Sequence, residues 1–383
     1  MTATDQPTDQ ITDQITNEPK PSNDAELPQR VRSKTAPAHQ LDGLDVSPFE
    51  LIQFMIDSVS DFASLHAAVD LNIFELLSHE ELTSYELALA CDADPGSTHR
   101  LMRWLHSRDF VDTYGQRYQL TELGEALTAA AERSQRHTVL VSGSSYWWDA
   151  VRGLADTIRA GQPASPSGLS PYDYLARNPD LGREFDLSAD AHSAAVGQDL
   201  AAISDFAAVR TIADLGGGLG GVLGNILTEH PHLGGILADR EDVLDRARDR
   251  LANEGLADRI RLAPGDFFDR IPEGAQIYLL SSVLRTYSDA QCVELLSAVR
   301  EAMASADEDG AEVWIVEGML PRLPGARSRW FSTDMRMRAL FYGDGVRVPE
   351  DFHRLTRQAG FRVHKSNRLP CGQTLMIARA DSL

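Results

Sequence analysis

The residues best suited to chemistry lie in the second half of the chain. Ala213-Asp214-Leu215-Gly216-Gly217-Gly218-Leu219-Gly220-Gly221 follows an apolar strand-like run and leads into helix-like Val222–His230, and Asp239 closes the next strand-like run, Gly235–Ala238. Glycines such as Gly216 and Gly218 let the backbone turn tightly and approach a ligand, helix amides point at its polar end, and a carboxylate at Asp239 can accept hydrogen bonds from ribose hydroxyls. This is a site for a nucleoside-containing cofactor; taken alone it fits dinucleotides, nucleotides and S-adenosylmethionine (SAM). After helix-like Val243–Glu254 and strand-like Ile260–Ala263 comes Gly265-Asp266-Phe267-Phe268, in which Asp266 can accept from the exocyclic amine of adenine while Phe267 lies against the ring. The sequence has no Gly-Lys-Ser/Thr phosphate loop, and no basic cluster follows the glycines to hold a pyrophosphate, which favours SAM.

These residues need a scaffold that brings them to one edge. From about Val209 onward strand-like and helix-like segments alternate up to Val313–Glu317, so a doubly wound, Rossmann-like α/β domain with a parallel sheet and helices on both faces is expected over 206–383. Ligands of such sheets lie beyond the carboxyl ends of the strands, where Asp214, Asp239, Asp266, Ser281 and Glu317 all fall. Upstream, apolar residues at helical spacing begin at Pro48 and run through Leu51, Ile52, Met55, Ile56, Val59, Phe62, Leu65 and Val69. Thr83-Ser84-Tyr85-Glu86 reads as a capping box and Asp94-Pro95 as an N-cap followed by Pro at the first helical position. With strand-like Phe110–Thr113 and Arg117–Leu120 around Gly115, residues 46–125 read as a mainly helical winged-helix domain. Residues 126–205 read as a helical bridge broken by a loop at 162–168, and 1–45, with its Thr-Asp-Gln repeat and few apolar residues, as a disordered tail.

Composition limits the partners. The chain has 383 residues, 43% of them hydrophobic, and 36 basic against 57 acidic residues give a formal charge of −21. That charge disfavours nucleic acid and anionic membranes, so the winged helix is not read as a DNA reader. No apolar run is long enough to span a bilayer and the N-terminus is polar rather than signal-like, so residence in the cytoplasm is expected. Cys91, Cys292 and Cys371 lack metal-site spacing, and the eleven His form no two-His-carboxylate cluster, so no metal is expected.

The order strand, glycine turn, helix, strand-Asp, helix, strand-Asp-Phe resembles that of class I SAM-dependent methyltransferases. Residues from about 48 to 380 resemble small-molecule O-methyltransferases that place a winged-helix dimerisation domain before a SAM domain, especially bacterial members modifying anthracyclines and other aromatic natural products. The resemblance rests on Leu101-Met102-Arg103-Trp104-Leu105, Tyr118–Gly124, Ala160-Gly161-Gln162-Pro163, Phe185-Asp186 with His192-Ser193, the glycine turn, Gly265–Phe268, Glu317 and Asp334. It implies a homodimer in which the N-terminal module walls the partner's pocket. It also makes Trp147 and His192 candidates to line the acceptor pocket, along with Asp334, Arg338 and Tyr342 from a helix expected over Phe331–Gly343. By the same resemblance Ser281 can bond SAM and Tyr287 can pack near adenine.

One departure stands out. Arg285 occupies the place where many relatives carry the His that deprotonates a phenol, and a guanidinium cannot accept that proton. Three explanations stay open: an acceptor acidic enough to ionise unaided with Arg285 steadying the anion, a carboxylate of the substrate gripped by Arg285, or a chemistry other than methyl transfer. Arg285 as a plain salt-bridging residue is the alternative to all three, and Glu317 could steer a catalytic group or balance Arg285. The expected activity is O-methylation of an aromatic or polyketide-type compound. Its rivals are C- or N-methylation and a SAM-binding hydroxylase, decarboxylase or cyclase.

Overall fold

The computed structural model describes residues 39–41, 44–164, 167–305, 310–323 and 328–381. Of the expected tail, residues 1–38 and 42–43 lie outside the described residues, as do Ser165 and Pro166 of the expected loop; what is described of the tail is an antiparallel pair, β1 (His39–Leu41) with β2 (Leu44–Val46). The chain divides into two compact units, Met1–Asp57 and Ser58–Leu383.

Helix α1 (Pro48–Asp70) follows, with Phe49, Ile52, Met55, Ile56 and Val59 exposed. Its later residues Phe62, Leu65 and Val69 pack in a small core with α2 (Ile73–His79) and with Leu87, Met102 and Leu105 of the next two helices. The capping box forms: after β3 (Leu82–Thr83), the Thr83 amide donates to Glu86 Oε2 at 2.8 Å and the Glu86 amide to Thr83 Oγ1 at 3.2 Å, opening α3 (Ser84–Ala90). Asp94 Oδ2 accepts from the Ser97 amide at 2.7 Å and Pro95 starts α4 (Pro95–Ser107). A hairpin of β4 (Val111–Tyr114) and β5 (Arg117–Leu120) turns at Gly115, whose φ is +67°, and β5 also pairs with β3. Short α5 (Glu122–Glu125) then leads to α6 (Arg136–Gly143), α7 (Ser145–Arg152), α8 (Leu154–Ala160), α9 (Pro171–Arg177) and the long α10 (Pro179–Ile203).

The C-terminal half supplies β6 (Thr211–Leu215), α11 (Gly221–Glu229), β7 (Gly234–Asp239), α12 (Glu241–Asn253), β8 (Ile260–Pro264), β9 (Ile277–Ser281), a single 3-10 turn at Leu284–Thr286, α13 (Asp289–Ser305), β10 (Glu312–Glu317), α14 (Arg329–Leu340), α15 (Pro349–Gln358), β11 (Phe361–Arg368) and β12 (Thr374–Ala380). Seven strands form one sheet in the order β11-β12-β10-β9-β6-β7-β8. Its strands read as continuous apolar runs because both faces are covered. Cys292, Leu295, Val299, Phe352 and Leu355 of α13 and α15 pack on one face; Val196, Leu200, Leu223, Ile226 and Leu244 of α10, α11 and α12 pack on the other.

The sheet is parallel through β10, as the alternation up to Glu317 implied, and an antiparallel pair beyond it completes the sheet. β10, β9, β6, β7 and β8 are parallel, but β12 runs antiparallel to both β10 and β11. The link from β11 to β12 is a tight turn closed by the Leu369 amide on the Gln373 carbonyl at 2.8 Å, and so short a link cannot form the crossover that a parallel pair needs. The helix expected over Phe331–Gly343 also differs, since α14 spans Arg329–Leu340 and does not end on Gly343. Gly343 lies against the chain at Thr286, where a Cβ would stand 2.5 Å from the Thr286 carbonyl carbon, so glycine here serves close approach rather than helix termination.

Helix α10 joins the halves. A Cβ on Gly197 would stand 2.8 Å from the Val222 carbonyl oxygen, so α10 and α11 cross almost backbone to backbone. One turn apart on α10, Asp186 and Asp190 pair with Arg246 and Arg250, also one turn apart on α12, the first at 2.5 Å. Burial pushes the Asp186 carboxyl up to about 6 despite Arg246, so charge pairing only partly offsets desolvation. Arg246→Met should therefore leave Asp186 buried and unpaired and lower stability in urea melts by about 2 kcal/mol, discounted for the partial exposure of Arg246. Adding Asp186→Leu should recover most of the loss, and a double variant no more stable than the single one would refute the ladder.

Candidate active site

The parallel order of β10, β9, β6, β7 and β8 sets Glu317, Ser281, Asp214, Asp239 and Asp266 along one carboxyl-end edge. Asp214 lies within β6 and is 1% exposed, with neither carboxylate oxygen hydrogen-bonded. The glycine turn closes over it: a Cβ on Gly217 would stand 2.7 Å from Asp214 Oδ2 and 2.5 Å from Leu237 Cδ1. Gly216, Gly218 and Gly220 have φ of +71°, +60° and +86°, the left-handed region in which an L side chain is strained. Burial first, and the Asp239 charge second, push the Asp214 carboxyl up to about 7. Asp239 Oδ2 accepts from the Gly218 amide and Oδ1 from the Arg240 amide, both at 2.8 Å. Burial nevertheless holds its pKa above the ordinary range, against those two bonds.

Beside the turn is an aromatic group. A Cβ on Gly216 would lie 3.5 Å from Phe267 Cε1, which puts that ring next to the glycines. Tyr287 meets Phe267 edge-on at 6.0 Å and Phe268 edge-on at 5.0 Å. Asp266 is exposed, and its Oδ1 accepts from the Phe268 amide at 2.9 Å. The residues present suit the cofactor read from the sequence: a bare turn for close approach, an unpartnered buried carboxylate to meet a cation, and an exposed carboxylate beside aromatic rings to meet an adenine edge.

Arg285 stands in the 3-10 turn after β9. Its amide donates to Glu317 Oε1 at 3.2 Å, and its Nε lies 3.9 Å from Glu317 Oε2, which has no hydrogen bond. Glu317 is fully buried at the end of β10, and burial raises its pKa against the pull of Arg285 and Arg347. Ser281 ends β9 half-buried, and Ser282 next to it has φ +62°, with its amide on the Val316 carbonyl at 2.9 Å. A serine in the left-handed region is a strained position, here at the entry to the turn that carries Arg285.

The remaining sequence candidates do not converge on one spot. Trp147 is buried among Tyr146, Phe185, Trp330, Met337 and Phe341, in the core between the halves. His192 is exposed, its Nδ1 2.7 Å from the Ser188 carbonyl oxygen of its own helix. Asp334 Oδ1 accepts from the Val346 amide at 2.8 Å, Arg338 donates to the Gly161 carbonyl, and Tyr342 is exposed.

Two residues escaped the sequence reading. Tyr172, on α9, packs against Phe185 at 6.3 Å and Phe341 at 5.5 Å. Burial, with Asp239 adding, pushes its hydroxyl up to about 12, while Thr286, Arg285 and Arg240 oppose the shift; the ring thus bridges the aromatic core and the polar edge. Arg347 is 4% exposed and donates to the Leu284 carbonyl, the Tyr287 carbonyl and Asp289 Oδ1, each at 2.8 Å. It fastens the turn that carries Arg285 and Tyr287. Neither residue has a local motif, since both owe their roles to segments distant in sequence.

Comparisons with known proteins agree with this geometry. An O-methyltransferase domain family matches residues 151–362 and an O-methyltransferase dimerisation domain family residues 55–130. The chain is 32% identical over 300 residues to a 3-amino-4-hydroxybenzoate 4-O-methyltransferase of Streptomyces cremeus, covering 76% of this chain and 79% of that one. It is 31% identical over 338 residues to the aclacinomycin 10-hydroxylase RdmB of Streptomyces purpurascens, covering 86% and 89%. Among solved structures it superposes with a TM-score of 0.70 and 30% identity, over 84% of this chain and 96% of the other, on the O-methyltransferase NcsB1 from neocarzinostatin biosynthesis in complex with SAM and 2-hydroxy-5-methyl naphthoic acid. Fold and site together define a SAM-dependent methyltransferase. More narrowly, the chain belongs to the O-methyltransferase family with an N-terminal dimerisation domain.

Removing the Arg347 clamp should be costly, because Arg347→Ala takes a charged donor from the Leu284 and Tyr287 carbonyls and leaves Asp289 without one of its cations. We expect a loss of about 3 kcal/mol in chemical denaturation. A midpoint within error of the wild type would show that the turn holds without it.

Proposed function

We propose that the enzyme transfers the methyl group of SAM to an oxygen of an aromatic natural product without a histidine base, as a homodimer. The observation that carries this reading is Arg285 in the turn after β9, with its backbone on Glu317 and its guanidinium only loosely paired. In this reading Asp239 with the Gly218 amide holds the ribose end of the cofactor, Asp214 faces its cationic end, and Asp266, Phe267 and Tyr287 receive the adenine, with Ser281 at the strand end beside them. Bound there, SAM supplies an electrophilic methyl carbon. Arg285 favours the ionised acceptor, so the phenolic proton leaves to water, and the oxyanion lone pair forms the O–C bond as the C–S bond breaks. Buried Glu317 orients Arg285 without neutralising it. Trp147, Tyr172 and the aromatic residues around them form the apolar wall for a flat acceptor, with His192, Asp334, Arg338 and Tyr342 further out. The exposed Phe49, Ile52, Met55, Ile56 and Val59 of α1, in a chain that matches a dimerisation family, support the second copy.

Two measurements bear on this. Turnover of methyl-labelled SAM with hydroxylated aromatic acceptors should place label on oxygen, and Arg285→Ala should lower kcat about a hundredfold, more for less acidic phenols. A product that gains oxygen and no label would instead indicate the hydroxylase reading. Unchanged kcat and KM in the variant would remove Arg285 from the chemistry.

The second measurement uses Asp214. Its folded pKa, near 7, lies above the ordinary 3.8, so its contribution to stability is fully present below about 4 and is lost as pH rises through 7. Thermal melts of the ligand-free protein should therefore show the wild type losing ground to Asp214→Asn as pH rises from about 5 to 8. The variant should also bind SAM more weakly. A stability difference that does not change with pH would mean that Asp214 is not held protonated.

A further inference from the structure

Arg240 follows the carboxylate proposed to hold the ribose, and its two ends serve different parts of the molecule. Its amide donates to Asp239 Oδ1 at 2.8 Å, while Oδ2 of the same carboxylate accepts from the Gly218 amide at 2.8 Å. Its guanidinium reaches α9, 68 positions earlier in the chain, where Nη1 donates to the Tyr172 carbonyl at 3.0 Å. Nε donates to Asp242 Oδ1 at 3.0 Å, in the first turn of the helix that Arg240 precedes. Asp242 is shared with Arg246 at 3.5 Å, and Arg246 pairs with Asp186 of α10 at 2.5 Å. A guanidinium held at two of its N–H groups has its plane fixed, so Arg240 is a strut between the end of β7 and α9.

Helix α9 needs such support. It has seven residues, too few to be stable as an isolated helix. Ser170 Oγ caps its start by accepting from the Asp173 amide at 3.2 Å. Tyr174 stacks on Tyr146 at 4.2 Å, and Leu175 joins the core between the halves. Tyr172 meets Phe341 at 5.5 Å and Phe185 at 6.3 Å through its ring, and takes the Arg240 bond through its carbonyl. One residue thus belongs to the aromatic wall by its side chain and to the cofactor edge by its backbone. The partly buried, charge-assisted bond to that carbonyl outweighs the solvent-facing pair with Asp242, so it is the effective part of the strut.

We propose that Arg240 is a positioning residue that carries cofactor occupancy from Asp239 to Tyr172, so that the acceptor wall on α9 is set when SAM binds. This rests on the proposed placement of the ribose at Asp239 and adds the link between the two substrates. A ribose bonded to Asp239 fixes the carboxylate, the carboxylate fixes the Arg240 amide, and the strut then holds the first turn of α9. The coupling is reciprocal, since an acceptor packed on Tyr172 tightens the cofactor by the same factor.

The test is hydrogen–deuterium exchange of the full-length protein with and without saturating S-adenosylhomocysteine, after its affinity has been measured separately by calorimetry. In the wild type the ligand should slow exchange over Tyr172–Asn178 at least about fivefold, as well as at the glycine turn. Arg240→Met should bind the ligand within about threefold of the wild type and keep the slowing at the glycine turn, while that over α9 falls to about twofold or less. Arg240→Lys should restore part of it, because an ammonium can reach the Tyr172 carbonyl without the second contact. No slowing over α9 in the wild type, or the same slowing in Arg240→Met, would overturn the proposal. Loss of ligand binding in Arg240→Met would also overturn it, since Arg240 would then hold the cofactor directly. A wild type that fails to bind the ligand would strike the cofactor reading, whereas binding without protection of α9 would strike only this relay.

Discussion

A buried carboxylate with no partner is the constraint around which this half of the molecule is organised. Asp214 is enclosed by β6, by Leu237 from β7 and by the glycine turn, and neither oxygen finds a donor. Asp239, bonded twice to amides, adds a second negative charge in the same volume. Ionising both in the ligand-free protein is unfavourable, and the high pKa of Asp214 expresses that. Such an arrangement lowers stability unless a cation enters. SAM carries a sulfonium and an ammonium, so in the proposed reading the feature that weakens the free protein is the one that matches its cofactor. Side chains in place of the glycines would block both the closure and the approach.

The turn proposed to face the acceptor depends on a different device. The turn after β9 contains a left-handed serine and only one turn of 3-10 helix, which is too little regular structure to hold Arg285 and Tyr287 by its own hydrogen bonds. Its rigidity comes from outside. Arg347 binds two of its carbonyls, Gly343 lets the chain lie against Thr286, and Glu317 takes the Arg285 amide. The segment after α14 is therefore the support of the turn after β9.

The glycine turn, the acids at strand ends and the caps of α3 and α4 were legible because each is a local pattern whose meaning needs only its own neighbours. The antiparallel β11–β12 pair was less so, since direction is set by the length of a link and not by apolar periodicity. Tyr172 and Arg347 carried no signal: an isolated tyrosine or arginine acquires its function from segments far away in sequence. Asp334 and Arg338 were pocket candidates only through the resemblance, and each has a backbone partner that no local pattern announced.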